Sequence, residues 1–309
     1  FTSDKTVETR KFRMLHKTIL FICWFLMTLF IFMPGIAHQG AQLGLEVFLK
    51  RLLPYLLPYL VVSQWLLYEL YKKNKWQSHV SNSIKIYAIG AFGGFPTGAA
   101  TISTLSQSSM ISKKHASHLL GICHAPSPMF VVGVVGSQFL SSVNSGIILL
   151  LILHSINLVF LVFLHVFVPM PKIVKNDYIV KPVTSPLSEG INQTASILLL
   201  VATTVVFFTT ISTVIREIIK VIFDGVPHQV SVFIYSFFEM TAGLEIAHQL
   251  FKMETFFPLL VVSILSFNGL SIHMQIMVLA KSAKLSLRPY IFYRFIHFLL
   301  FVGSCYLFL

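Results

Sequence analysis

GAFGGFPTGAA, residues 90–100, carries four glycines and a proline inside an otherwise apolar run. Pro96 removes a backbone donor and restricts Phe95. Gly93, Gly94 and Gly98 permit a tight reversal. The surrounding segment 86–112 therefore reads as two helical arms of about 11 residues, each reaching about 16 Å. That is half of a hydrocarbon core of about 30 Å. A chain that enters, turns near the midplane and returns needs its tip buried in protein or lining a cavity.

Composition makes hydrocarbon the relevant solvent. Of 309 residues, 55% are hydrophobic and only 11% charged, and the mean hydropathy is +0.79. Soluble domains average about 25% charged residues. The chain is expected to be an integral membrane protein, which excludes most soluble enzyme folds. The net charge of +12 comes from Lys and Arg clustered between apolar runs. That is the pattern of cytoplasmic loops, and nucleic acid is not expected as a partner. Cys23, Cys123 and Cys305 lie far apart in apolar runs without a CxxC, so neither a disulfide framework nor a metal site is expected.

Apolar runs cover 18–36, 52–70, 86–103, 116–141, 146–168, 193–215, 230–250, 256–280 and 289–309. The first reads as a retained helix with a cytoplasmic N-terminus rather than a cleaved signal peptide. The proline- and lysine-bearing stretch 169–192 reads as a cytoplasmic linker. The expected division is thus 1–44, N-terminus and first transmembrane helix; 45–168, first repeat; 169–192, linker; and 193–309, second repeat. Shifting the chain by 144 residues superposes the later runs in order, and lays Thr97 on Thr241 and Ser127 on Ser271. If 86–112 and 230–251 are re-entrant hairpins, 17 Lys and Arg fall inside and 5 outside, with Arg294, inside the last run, left out. If every run spans, the split is 14 against 8. The positive-inside rule favours the hairpins and hence an inverted repeat. The expected fold is an all-α polytopic membrane protein with about seven spans plus two re-entrant hairpins.

Chemistry is sought where the runs break. HAPSP (124–128) interrupts run 116–141, and FNGLS (267–271) interrupts its counterpart. Paired discontinuities free backbone groups and half-helix termini, and point to a transporter site; the plain alternative is a proline kink. Glu239 lies inside run 230–250, where a charge costs about 2.5–3.5 kcal/mol on insertion scales. It reads as a site for Na+ or H+ coupling, or else as the structural partner of a buried cation. His124 and His273 flank the breaks, and a lone buried histidine is more often a packing group than a ligand. Glu245 and His248 read as a local surface pair. Substrate contacts are expected from Gly94, Pro96, Thr97, Gly98, His124, Ser127, Thr241, Asn268, Gly269, Ser271 and Gln275, whose neutral donors and acceptors suit a polar solute. Pro54 and Pro58 read as a built-in bend. No HExxH, GxSxG or P-loop occurs, and Asp4, Asp177 and Asp224 lie outside the apolar runs, so neither a catalytic group nor a cofactor is expected.

The stretches LKRLLPYLLPYLVVS (49–63), GAFGGFPTGAATISTL (90–105), ISKKHASHLLGICHAPSPMFVVGVVG (111–136) and FNGLSIHMQ (267–275) resemble the sporulation integral membrane protein YlbJ family. That family carries the nucleoside-recognition, or Gate, domain, also found in the FeoB iron transporter and related to concentrative nucleoside transporters. The likeness covers roughly 45–309. The family's CNNSGP-like break is CHAPSP here. The resemblance implies a multi-pass protein of the bacterial cell membrane with paired hairpins, partnered by membrane lipid and a small-molecule solute. The expected function is a permease for a small polar solute, anions included. The rival is a non-transporting scaffold with a Gate fold, needed for envelope or sporulation assembly.

Overall fold

The structure, a computed structural model, describes residues 2–72, 79–169 and 185–308. The described chain is all-helical, with no strand. Its elements are α1 (Thr2–Phe32), α2 (Pro34–Val47), α3 (Leu53–Lys72), α4 (His79–Gly93), α5 (Thr97–Gln107), α6 (Lys113–Ile122), α7 (Val143–Phe167), α8 (Pro186–Phe223), α9 (His228–Phe238), α10 (Met240–Phe251), α11 (Phe257–Phe267), α12 (Gly269–Ser282) and α13 (Arg288–Phe308). Wider, π-type turns run through Phe48–Leu52 and Phe130–Phe139.

Solvent preference is inverted relative to a soluble domain. Leu151, Val159, Val162 and Val166 on α7, and Ile291, Phe292 and Phe295 on α13, are exposed, whereas Gln64, Asn82, Thr101, Asn157 and Ser212 are buried. Four helical stretches are long and apolar enough to cross a membrane: Val143–Phe167, Pro186–Phe223, Phe257–Ser282 and Arg288–Leu307. The protein is membrane-embedded. The bent pair His16–Phe32 and Pro34–Leu70 passes the same test when taken together, whereas helices such as α5 and α6, of 11 and 10 residues, are each too short to cross alone.

Local chemistry explains most helix boundaries. Ser112, Ser142 and Ser185 cap α6, α7 and α8 by accepting from His115 N, Ser145 N and Ser188 N. Pro34 and Pro186 occupy first helical positions, where a missing N–H costs nothing. The expected first helix, 18–36, is corrected here: α1 ends at Phe32, and residues 34–36 open α2 after a bend of 103°. The linker expected at 169–192 is also corrected, because α8 already begins at Pro186. Residues 170–184, with Lys172, Lys175 and Lys181, lie outside the described residues, as do Lys73 and Lys75. Pro54 and Pro58 do not break the helix. The wide turn at Phe48–Leu52 sits just ahead of them, where the missing proline donors interrupt the normal ladder.

α8 lies antiparallel along α2 and α3, and contact is set by small residues. A Cβ at Gly44 would stand 2.7 Å from Val206 Cα, and one at Gly40 would stand 2.8 Å from Thr210 Cα. At the other end of the pair, Gly190 meets Trp65. Such close backbone approach drives helix association where lipid removes the hydrophobic advantage.

Eight of the remaining segments form four broken pairs: α4–α5, α6 with 130–139, α9–α10 and α11–α12. At one end of the bundle Gln107 bonds Ser282, Ser286 N bonds Ser117, and Lys114 Nζ bonds Pro169 O. At the opposite end Arg51 reaches Glu245 and Gln138, and His248 lies between the rings of Phe139 and Phe257. Glu245 makes its ion pair with Arg51, while its expected neighbour His248 feels the same carboxylate through space. Displaced by 144, α5 falls on 241–251 against the observed Met240–Phe251, and α6 on 257–266 against Phe257–Phe267.

Gly44→Leu should force α2 from α8 and destabilise the protein by about 1–3 kcal/mol, the usual cost of overpacking. Gly35→Leu, with nothing within 4 Å of its added Cβ, should leave the melting temperature in detergent nearly unchanged.

Candidate functional site

Each broken pair turns on a few residues. In the first, α4 ends at Gly93 and Gly94 takes φ +71, a left-handed conformation natural to glycine. A cis Phe95–Pro96 bond follows, and α5 begins at Thr97. Thr97 Oγ1 donates to Gly93 O at 3.1 Å. The glycines serve contact as well as conformation. A Cβ on Gly98 would lie 2.4 Å from Cys123 O, and one on Gly94 would lie 2.6 Å from Ser127 N. This tip is thus pressed onto the CHAPSP break.

That break leaves residues 123–127 non-helical. Ser127 Oγ accepts from Phe130 N at 3.2 Å and starts the next helical segment. The carbonyl of His124, freed from the ladder, accepts from Arg294 Nη1 at 3.1 Å.

In the second half Glu239 stands between α9 and α10 with extended backbone, φ −141 and ψ 117. It is 1% exposed. Its Oε2 accepts from Ala242 N at 2.6 Å, so the carboxylate caps α10. Ser271 Oγ donates to its Oε1 at 3.4 Å. No ion pair involves Glu239 among the described residues, so its carboxylate is met by a helix N-terminus and a hydroxyl rather than by a cation. Between α11 and α12, Asn268 takes φ 72 and Gly269 φ 69. A Cβ on Gly269 would meet Met240 N at 2.9 Å, so this break presses onto the Glu239 tip as the first tip presses onto its break.

The two halves meet around one cavity of about 30 Å3. Its walls include Leu52, Leu56, Phe95, Pro126, Ser127, Val201, Glu239, Thr241, Ile272 and Gln275. That volume holds one or two waters. Of the residues expected to contact substrate, Ser127, Thr241 and Gln275 line it, together with Glu239. Ser271 reaches it through Glu239, and Gly94 through Ser127. Gln275 Nε2 also donates to Thr204 Oγ1 on α8 at 2.9 Å. Pro96, Thr97, Gly98, Asn268 and Gly269 shape the breaks without lining the cavity. His124 is turned into a separate cluster, stacked on Phe95 at 4.8 Å and edge-on to Tyr290 at 5.5 Å. His273 is an anchor: its ring bonds Tyr290 Oη at 2.7 Å and Phe267 O at 2.9 Å.

Two polar features were not foreseen from the sequence. Arg294, in the middle of an apolar run, is 7% exposed and holds the first break. Arg51 and Glu245 pair at 2.9 Å and line a wider cavity of about 350 Å3 with Lys50, Glu46 and Gln249. The next residue, Leu52, already lines the central cavity. Only an intramembrane charge in the last run could have pointed to Arg294; nothing local pairs Arg51 with a residue 194 positions away.

Comparison of the chain with protein-family models, with curated proteins and with solved structures found no match.

Glu239→Ala should lower stability by about 1–3 kcal/mol, because Ala242 N–H loses its buried acceptor. Glu239→Gln keeps an acceptor oxygen and should lose less than half as much. Thermal unfolding of the purified variants in detergent measures the difference.

Proposed function

We propose that the protein is a YlbJ-like secondary transporter of the bacterial cell membrane. It moves a small polar solute through the cavity between the two tips and the two breaks, without catalytic chemistry. The carrying observation is that four mid-run breaks press on one another around one small cavity lined by Ser127, Glu239, Thr241 and Gln275. Half-helices meeting at bilayer depth are how transporters present backbone groups to a solute.

In this reading α4–α5 and α9–α10 are re-entrant hairpins entering from opposite faces, and the two halves are an inverted repeat. The contacts at the two bundle ends support it. The α4–α5 pair opens beside Lys113, Lys114 and Lys281, while α9–α10 opens beside Arg51 and Lys252. The lysine-rich end is then cytoplasmic. The cavity as it stands admits only water, so passage requires the tips to part, with the Arg51–Glu245 pair closing the outer side. Glu239 is the natural coupling group for H+ or Na+, since neutralising it alters what holds the second tip to Ser271. The smallness of the cavity also favours the rival reading, a non-transporting scaffold.

Two measurements separate these. Single cysteines at 114 and 281 should react with impermeant maleimide from the cytoplasmic side, and those at 220 and 252 from the other. Labelling of 114 and 281 from opposite faces sinks the hairpin topology. In proteoliposomes, the wild type should accumulate a solute from a panel of nucleosides, carboxylates and metal ions under an ion gradient. Glu239→Gln should abolish accumulation while leaving exchange partly intact. Undiminished accumulation by a well-folded Glu239→Gln protein removes the coupling role, and no flux of any solute favours the scaffold.

A further inference from the structure

Arg294 places a guanidinium in the interior of a membrane protein, where an unpaired charge is costly. No ion pair with a carboxylate involves it among the described residues. Of its five N–H donors, one goes to His124 O at 3.1 Å and one lies 3.2 Å from His297 Nδ1. Its Nε has no partner. Beside it, His124 is 3% exposed, and neither of its ring nitrogens has a partner. A neutral imidazole always offers one N–H. The cluster therefore holds unspent donors from two side chains, next to a positive charge and with no protein anion to receive them. Buried donors left so are rare and call for a missing acceptor.

We infer that Arg294 and His124 form an anion subsite, which takes either the carboxylate of an organic solute or a small inorganic anion. The inference rests on the transport reading only for its link to the central cavity. That link is Phe95, which lines the cavity and stacks on His124. On this inference the Phe95 ring must move aside for an anion in the cavity to reach the donors. Glu239, on the cavity's other wall, is held by α10 and Ser271 and does not compete for Arg294.

The test is thermal unfolding of the purified full chain in a zwitterionic low-salt buffer, at constant ionic strength. Sodium acetate, disodium glutarate, sodium chloride and uncharged uridine are the probes. A saturating anion should raise the wild-type melting temperature by about 4 °C or more, and Arg294→Gln should abolish the shift. A carboxylate-only response assigns the subsite to the organic solute; a chloride response assigns it to an inorganic anion. Arg294→Gln could fail to fold, because it also loosens the His124 carbonyl. His124→Leu leaves that backbone contact intact and should raise the half-saturating anion concentration about tenfold, as expected for one lost hydrogen bond to a charge. No anion response in the wild type, a response that both variants retain in full, or stabilisation by uridine alone overturns the inference. Flux of an uncharged solute with no anion response keeps the transport reading and removes this one. An Arg294-dependent anion response with no flux of any solute does the reverse.

Discussion

A helix broken inside a membrane leaves amides and carbonyls that no water can satisfy. Every feature of the central region answers that demand. At the first tip Thr97 bonds Gly93 O, and at the first break Ser127 takes Phe130 N while Arg294 holds His124 O. At the second tip the Glu239 carboxylate takes Ala242 N, and at the second break His273 reaches Phe267 O and Asn268 reaches Ser266 O. Thr97, Ser127 and Asn268, expected as substrate ligands, are first of all partners of the protein's own backbone.

The glycine contacts add rigidity within each half. Gly94 and Gly98 lock the first tip on its break, and Gly269 locks the second break on its tip. Between the halves lies a cavity that holds little more than water. The Arg51–Glu245 pair ties the wide turn after α2 to α10. α8, pinned along α2 and α3 by Gly40, Gly44 and Gly190, supplies Val201 and Val205 as a wall of the cavity.

Much of the frame was readable in advance because it depends on local properties. Proline and glycine in 90–100 and 124–128 interrupt helices whatever surrounds them, and the breaks fall there. Glu239 stands out in the sequence as a charge inside an apolar run and is buried in the structure, but its cap on α10 is not visible in the sequence, because an N-cap is recognised only once the helix start is known. α2 was missed for a plainer reason. GIAHQGAQLGLEV is not apolar enough to register as a run, yet its glycines are what α8 needs for close approach. Glu245 and His248 share a helix face as their spacing suggests, but Arg51, far away in sequence, takes the ion pair because a guanidinium is the stronger partner.

The sequence by itself determined the solvent, the helical class and the positions of the breaks. Each is a one-dimensional property: hydrophobic excess over a span, and residues that cannot continue a helix. Only the tertiary structure decided what meets at the breaks. His124 and Arg294 are 170 positions apart, and Gln275 and Thr204 are 71 apart. Contacts at that separation follow from how whole helices pack, and packing is set by the shape of every neighbouring side chain at once. No pattern along the chain carries that information.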